Sequence, residues 1–142
     1  MKDLIKRREE ELLKGSSIKE WHEKIYLKAL SMLKDIQDAE ILKNATKFEM
    51  HIEMMDCECM VEVFFGSSDP AIWIDVAWCH GLEGDIFHHD DREERGFFIM
   101  TWDQVKEITL KATSFENLHE LRNECYAKNQ YSKKKQNTSG LQ

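Results

Sequence analysis

A chain of 142 residues with 42% hydrophobic and 10% aromatic side chains is long enough for one domain to bury roughly 68% of the surface its unfolded form exposes, and that apolar content excludes wholesale disorder. No stretch approaches the roughly 20 apolar residues of a membrane span, and the charged opening MKDLIKRREEELLKG lacks the apolar core of a secretory leader, so the expected location is cytoplasmic with no membrane partner. The net charge of −7 is unevenly spread: residues 1–47 and 101–142 carry +2 each, whereas residues 48–100 carry −11, with Arg92 and Arg95 their only bases.

The first segment reads as a helix with Leu4, Ile5, Leu12 and Leu13 between charges and Gly15 as its stop. Ser17 with Glu20 matches a capping box for a second helix. Trp21, Ile25, Ala29, Leu33 and Ile36 then fall at spacings of three and four and form one apolar stripe, so this helix is expected to run to about Leu42.

After Lys43 the period changes to two. Phe48, Met50, Ile52 and Met54 alternate with Glu49, His51 and Glu53, and the alternation slips by one at Met55-Asp56, so that Cys57, Cys59, Val61, Val63 and Phe65 become the apolar set. That slip predicts a hairpin. Gly66 to Pro70 is a turn into a third strand, Ala71 to Cys79, with Ile72, Ile74, Val76 and Trp78 on one side. His80 to Arg95 holds two glycines, six acids and three histidines and reads as an exposed loop. Gly96 to Met100 is strand-like, Thr101 with Gln104 forms another capping box, and Ser114 caps a last helix carrying Phe115, Leu118, Leu121, Arg122 and Cys125 along one side. From Lys128 the periodicity ends.

The expected fold is therefore α+β, ordered ααββββαα: two N-terminal helices, a three- to four-stranded mainly antiparallel sheet and two C-terminal helices. Residues 1–127 form one domain and residues 128–142 a flexible C-terminal tail.

Chemistry is sparse. Asp85, His88, His89, Asp90 and Asp91 combine imidazole with carboxylate, which suits a divalent metal such as zinc, and His88, His89 and Asp90 are the candidate ligands; neighbouring residues rarely face one ion, so a polar loop without cofactor is the simpler account. Cys57 and Cys59 share a strand face but lack the two-residue gap of a zinc knuckle, and no second cysteine pair exists; all four cysteines are expected to be free thiols. There is no phosphate-binding glycine loop, G-x-S-x-G elbow, H-E-x-x-H helix or G-x-G-x-x-G turn, so a binding protein is expected ahead of an enzyme.

Opposite the apolar set, the strands present Glu49, His51 and Glu53, then Glu58, Met60, Glu62 and Phe64, then Trp73, Asp75 and Ala77. An acidic face bearing aromatic and methionine side chains suits a basic protein surface. The expected contact residues are Glu49, Glu53, Glu58, Glu62, Trp73 and Asp75, joined by Glu83, Asp85, Asp90 and Asp91 of the loop. Direct nucleic-acid binding fits poorly, because phosphate contacts need clustered Lys and Arg. The expected function is a non-enzymatic protein-binding module, of the class of phage or mobile-element inhibitors that block nucleic-acid-handling enzymes (anti-restriction or anti-CRISPR type). The alternatives are a metal-binding protein or metal-dependent hydrolase using the His88-His89-Asp90-Asp91 loop, and an assembly subunit that forms a homodimer through the long helix.

Overall fold

The computed structural model describes residues 1–15, 20–53, 56–90 and 100–140, with side chains as far as Gln130. Helices α1 (Lys2–Leu13) and α2 (Glu20–Leu33) precede four strands, β1 (Lys47–Ile52), β2 (Glu58–Phe64), β3 (Ile72–Ala77) and β4 (Glu83–His88); a short β5 (Met100–Thr101) leads directly into α3 (Trp102–Lys111) and α4 (Phe115–Gly140). The fold is α+β. The strands form one antiparallel meander in the order β1-β2-β3-β4-β5, each paired with its neighbour in sequence.

The switch of period after Lys43 precedes the start of β1, and the slip in alternation falls between β1 and β2. Pairing of Phe48 with Val63 and of Ile52 with Cys59 puts the two apolar sets, though out of phase in sequence, on one face. On that face lie Cys59, Val61, Val63, Ile72, Ile74, Val76 and Ile86, all fully buried. Helix α2 packs against β1, β2 and β3 through its buried stripe of Ile25, Ala29, Leu30, Met32 and Leu33, and α1 lies on α2 with Ile5 and Leu12 inward. Burying such side chains contributes about 1.5–3 kcal/mol each.

Four expectations change. Helix α2 ends at Leu33, not near Leu42: the chain tightens into 3-10 turns at Lys34–Ile36 and Glu40–Leu42, with Ala39 extended between them. The break lets Ile36, Ala39, Ile41 and Leu42 all turn inward, which one straight helical stripe does not allow, and Asp35 in the first turn accepts a 2.9 Å hydrogen bond from Trp102 Nε1 of α3. Second, much of the segment read as an exposed loop is β4, four of whose six residues are buried. Third, α4 continues to Gly140, so the residues from Lys128 to Gly140, read as a tail, are helical. Fourth, Cys57 and Cys79 are not free thiols; they form a disulfide with 5.2 Å between their Cα atoms. The Ser17 cap lies outside the described residues, as do Asp91 to Ile99 with most of the strand-like run before Met100.

Both C-terminal helix starts follow their sequence signals. Thr101 Oγ1 accepts the Gln104 N–H at 3.2 Å, and Gln104 Oε1 accepts the Thr101 N–H at 3.0 Å. Ser114 Oγ accepts the Asn117 N–H at 3.0 Å.

One glycine fixes how α3 meets the sheet. A Cβ on buried Gly84 would collide with the backbone carbonyl oxygen of Asp75 and come within 3.1 Å of Trp102 Cε3. Gly84→Ala is therefore expected to lower stability by about 1–3 kcal/mol or more, the range of an overpacked core, read as a fall in the urea midpoint; an unchanged midpoint would show that Trp102 does not pack where it is placed here.

Candidate functional site

The pairing register arranges the second face of the sheet in rows that cross the strands. One row holds Glu53, Glu58, Ala77 and Glu83; the next His51, Met60, Asp75 and Asp85; the third Glu49, Glu62, Trp73 and Phe87; the last begins with Lys47 and Phe64. The carboxylates that alternation assigned to this side lie on β1, β2 and β3, and Glu83 and Asp85 of β4, read in sequence as part of a loop, join them in one field on the same face.

They do not share one environment. Glu49, Glu53, Glu58, Glu62, Glu83 and Trp73 are half-buried, His51 and Asp90 are exposed, and Asp75 and Asp85 are buried together with Met60, Phe64 and Phe87. Asp75 and Asp85 therefore offer no carboxylate to a docking surface, and Asp91 lies outside the described residues.

Asp85 is buried because α4 brings it a counter-charge. Arg122 donates from Nε to Asp85 Oδ1 at 2.9 Å and from its terminal nitrogen to Oδ2 at 3.0 Å, while Tyr126 donates its hydroxyl proton to the same Oδ2 at 2.5 Å. The guanidinium lies over the Tyr126 ring at 4.3 Å and the Phe87 ring at 5.6 Å. Burial works against the charge on Arg122, but the hydrogen bond and charge of Asp85, joined by Tyr126, outweigh it and move its pKa up. This triad anchors α4 to the sheet.

At the outer edge of the field, Glu49 and Glu62 stand directly opposite each other on β1 and β2, with His51 two residues along the same face. His51 Nε2 lies 2.5 Å from Glu62 Oε1 and 3.9 Å from Glu49 Oε2, and Lys47 Nζ is 3.5 Å from Glu49 Oε1 and 4.4 Å from the centre of the Phe64 ring. Alternation had placed these residues on one face; their convergence on one point needed the register.

The histidine segment is divided. His88, at the end of β4, has its Nδ1 3.5 Å from Asp90 Oδ2, accepts the Asp90 N–H at 3.3 Å and lies against Phe115, with ring centres 4.9 Å apart. His89 is its exposed neighbour. Among the described residues, the group of three whose ligand atoms come together is Glu49, His51 and Glu62, within 4.8 Å of one another.

Of the other cysteines, Cys59 is buried in the core, where burial pushes its thiol up to about 12, so it stays protonated and unreactive at neutral pH. Burial also raises the Cys125 thiol. Among the described residues no helix is long and apolar enough to cross a membrane. Compared with protein-family models, curated proteins and solved structures, the chain has no match.

Proposed function

We propose that this chain is a non-enzymatic protein-binding module whose acidic sheet face docks onto a basic surface of another protein. The reading is supported above all by Glu53 and Glu58 standing side by side in one row that also holds Glu83 beyond Ala77, with Glu49 and Glu62 two rows away. Trp73 and His51 lie within the same field, and half-buried Trp73 supplies an anchor of the kind that dominates protein interfaces. A field of one sign steers encounter with an oppositely charged partner and sets its orientation. Proteins that hold nucleic-acid phosphates carry such basic surfaces, which makes a nucleic-acid-handling enzyme the favoured target class and inhibition by occupying its groove the favoured mode.

The test replaces Glu53, Glu58 and Glu83 with lysine together. These half-buried side chains lie at the sheet surface, so the fold should survive, as checked by circular dichroism and thermal melting. The untagged protein should recover a basic partner at low salt and release it as ionic strength rises and the Debye length shrinks from about 10 Å at 0.1 M to about 3 Å at 1 M. The triple variant should lose that partner. Retention of the partner by a folded triple variant, or binding indifferent to salt, would overturn the reading.

A further inference from the structure

We infer that Glu49, His51 and Glu62 form a binding site for a divalent transition-metal ion of the zinc class on the outer edge of the sheet. The inference does not rest on the partner reading and concerns the isolated chain.

The backbone assembles the site. β1 and β2 pair so that Glu49 faces Glu62 across the ladder, and like charges directly opposite each other are unfavourable in an antiparallel pair. His51 follows Glu49 by two residues and so projects from the same face. Its Nε2 lies within reach of both carboxylates, 2.5 Å from one and 3.9 Å from the other. Three donors from two adjacent, hydrogen-bonded strands are held by the sheet, and their outer atoms already lie within 4.8 Å of one another. Donors to one ion at about 2.0–2.2 Å need only small rotations of exposed or half-buried side chains to close on it.

The donor set selects the metal. One imidazole nitrogen and two carboxylate oxygens suit zinc and its neighbours cobalt, nickel and manganese; magnesium and calcium favour all-oxygen shells with more ligands, and copper(I) favours sulfur. Three protein ligands leave at least one position open to water, as in zinc sites that do more than hold a fold together. Lys47 is the competing cation: its ammonium approaches Glu49 but also lies over Phe64, so it can remain on the ring while Glu49 turns to the ion. The groups paired directly with His51 and Glu62 across the ladders, Met60 and Trp73, carry no charge, while Glu53, just past the end of β1, follows His51 on the same face and Asp75 lies buried beyond Met60.

The test uses the full chain without a histidine tag, with Co²⁺ and then Zn²⁺ as probes. Calorimetry should give one Zn²⁺ per chain, and Co²⁺ should produce the visible absorption of a low-coordinate nitrogen and oxygen site, displaced by Zn²⁺. His51→Ala and Glu62→Gln should each weaken Zn²⁺ binding by at least about ten-fold while leaving the thermal melt in place, because the His51 side chain is 50% exposed and Glu62 keeps its shape as glutamine. Should His51→Ala disturb the melt, Glu49→Gln serves as the second variant. His88→Ala should bind as the native chain does. Zn²⁺ binding that survives His51→Ala and Glu62→Gln, that disappears in His88→Ala, or that is absent at millimolar ion, overturns the site.

Discussion

Arg122→Ala is expected to lower stability by about 3–5 kcal/mol, the cost of breaking a buried ion pair by removing one partner. The Arg122 side chain is 1% exposed and that of Asp85 0%. Without the guanidinium, the Asp85 carboxylate would keep the Tyr126 hydroxyl but lose both Arg122 hydrogen bonds. The same carboxylate's bond to the Ile86 N–H, 2.8 Å from Oδ1, is too weak a substitute for a full counter-charge. Urea unfolding measures the loss. The contrasting variant replaces Asp85 and Arg122 together with leucine and methionine; it should recover most of the loss, because apolar groups in place of a buried pair leave no charge to solvate. If the double replacement is as damaging as the single one, the pair is needed for something other than mutual neutralisation.

The disulfide carries the second large effect. Cys57 precedes β2 and Cys79 follows β3, with a sequence separation of 22. Closing a loop of that length lowers the entropy of the unfolded chain by an amount worth about 3 kcal/mol at 25 °C. Replacing both cysteines with serine, or adding a reductant, should therefore lower the unfolding free energy by about that amount, read as a lower unfolding midpoint, without changing the fold. The β2–β3 ladder is already paired from Glu58 with Ala77 onward, and the Trp78 N–H donates to the Cys57 carbonyl at 2.9 Å, so the native geometry does not depend on the bond. Midpoints that coincide in oxidised and reduced protein would place the cross-link's effect elsewhere.

Much of this architecture can be read from local signals. The Thr101 and Ser114 helix starts depend on residues three apart, the turn at Gly66 to Pro70 on adjacent ones, and the β1–β2 hairpin on a visible change of phase. What escaped depends on distant partners. β4 is covered on both sides, so it shows no alternation, and an aspartate at its centre argues for a loop until Arg122, 37 residues later, is known to neutralise it. The break in α2 has the same character, since Asp35 is held by Trp102 across 67 residues. The disulfide joins two cysteines whose proximity follows from register alone.

The candidate sites divide along the same line. Two-residue periodicity was enough to place Glu49, His51, Glu53, Glu58, Glu62, Trp73 and Asp75 on one face. It could not show that Asp75 is buried while Glu62 is not, because burial depends on what packs over the sheet. A Glu-x-His pair on one strand followed by a glutamate on the next was the available signal for the metal site; only the pairing of Glu49 with Glu62 turns that signal into a point.

The meander, in which each strand pairs with the one just before it, also has a consequence in time. Its sheet can grow by closing one short loop after another, a search that costs little chain entropy and favours rapid folding. The Asp85–Arg122 and Asp35–Trp102 links join elements far apart in sequence and are therefore assigned to the late docking of α3 and α4. Their loss should then speed unfolding and leave the folding rate nearly unchanged, so the damage of Arg122→Ala would lie in how long the folded molecule lasts; a slowed folding rate in that variant would put α4 in the first stage of assembly.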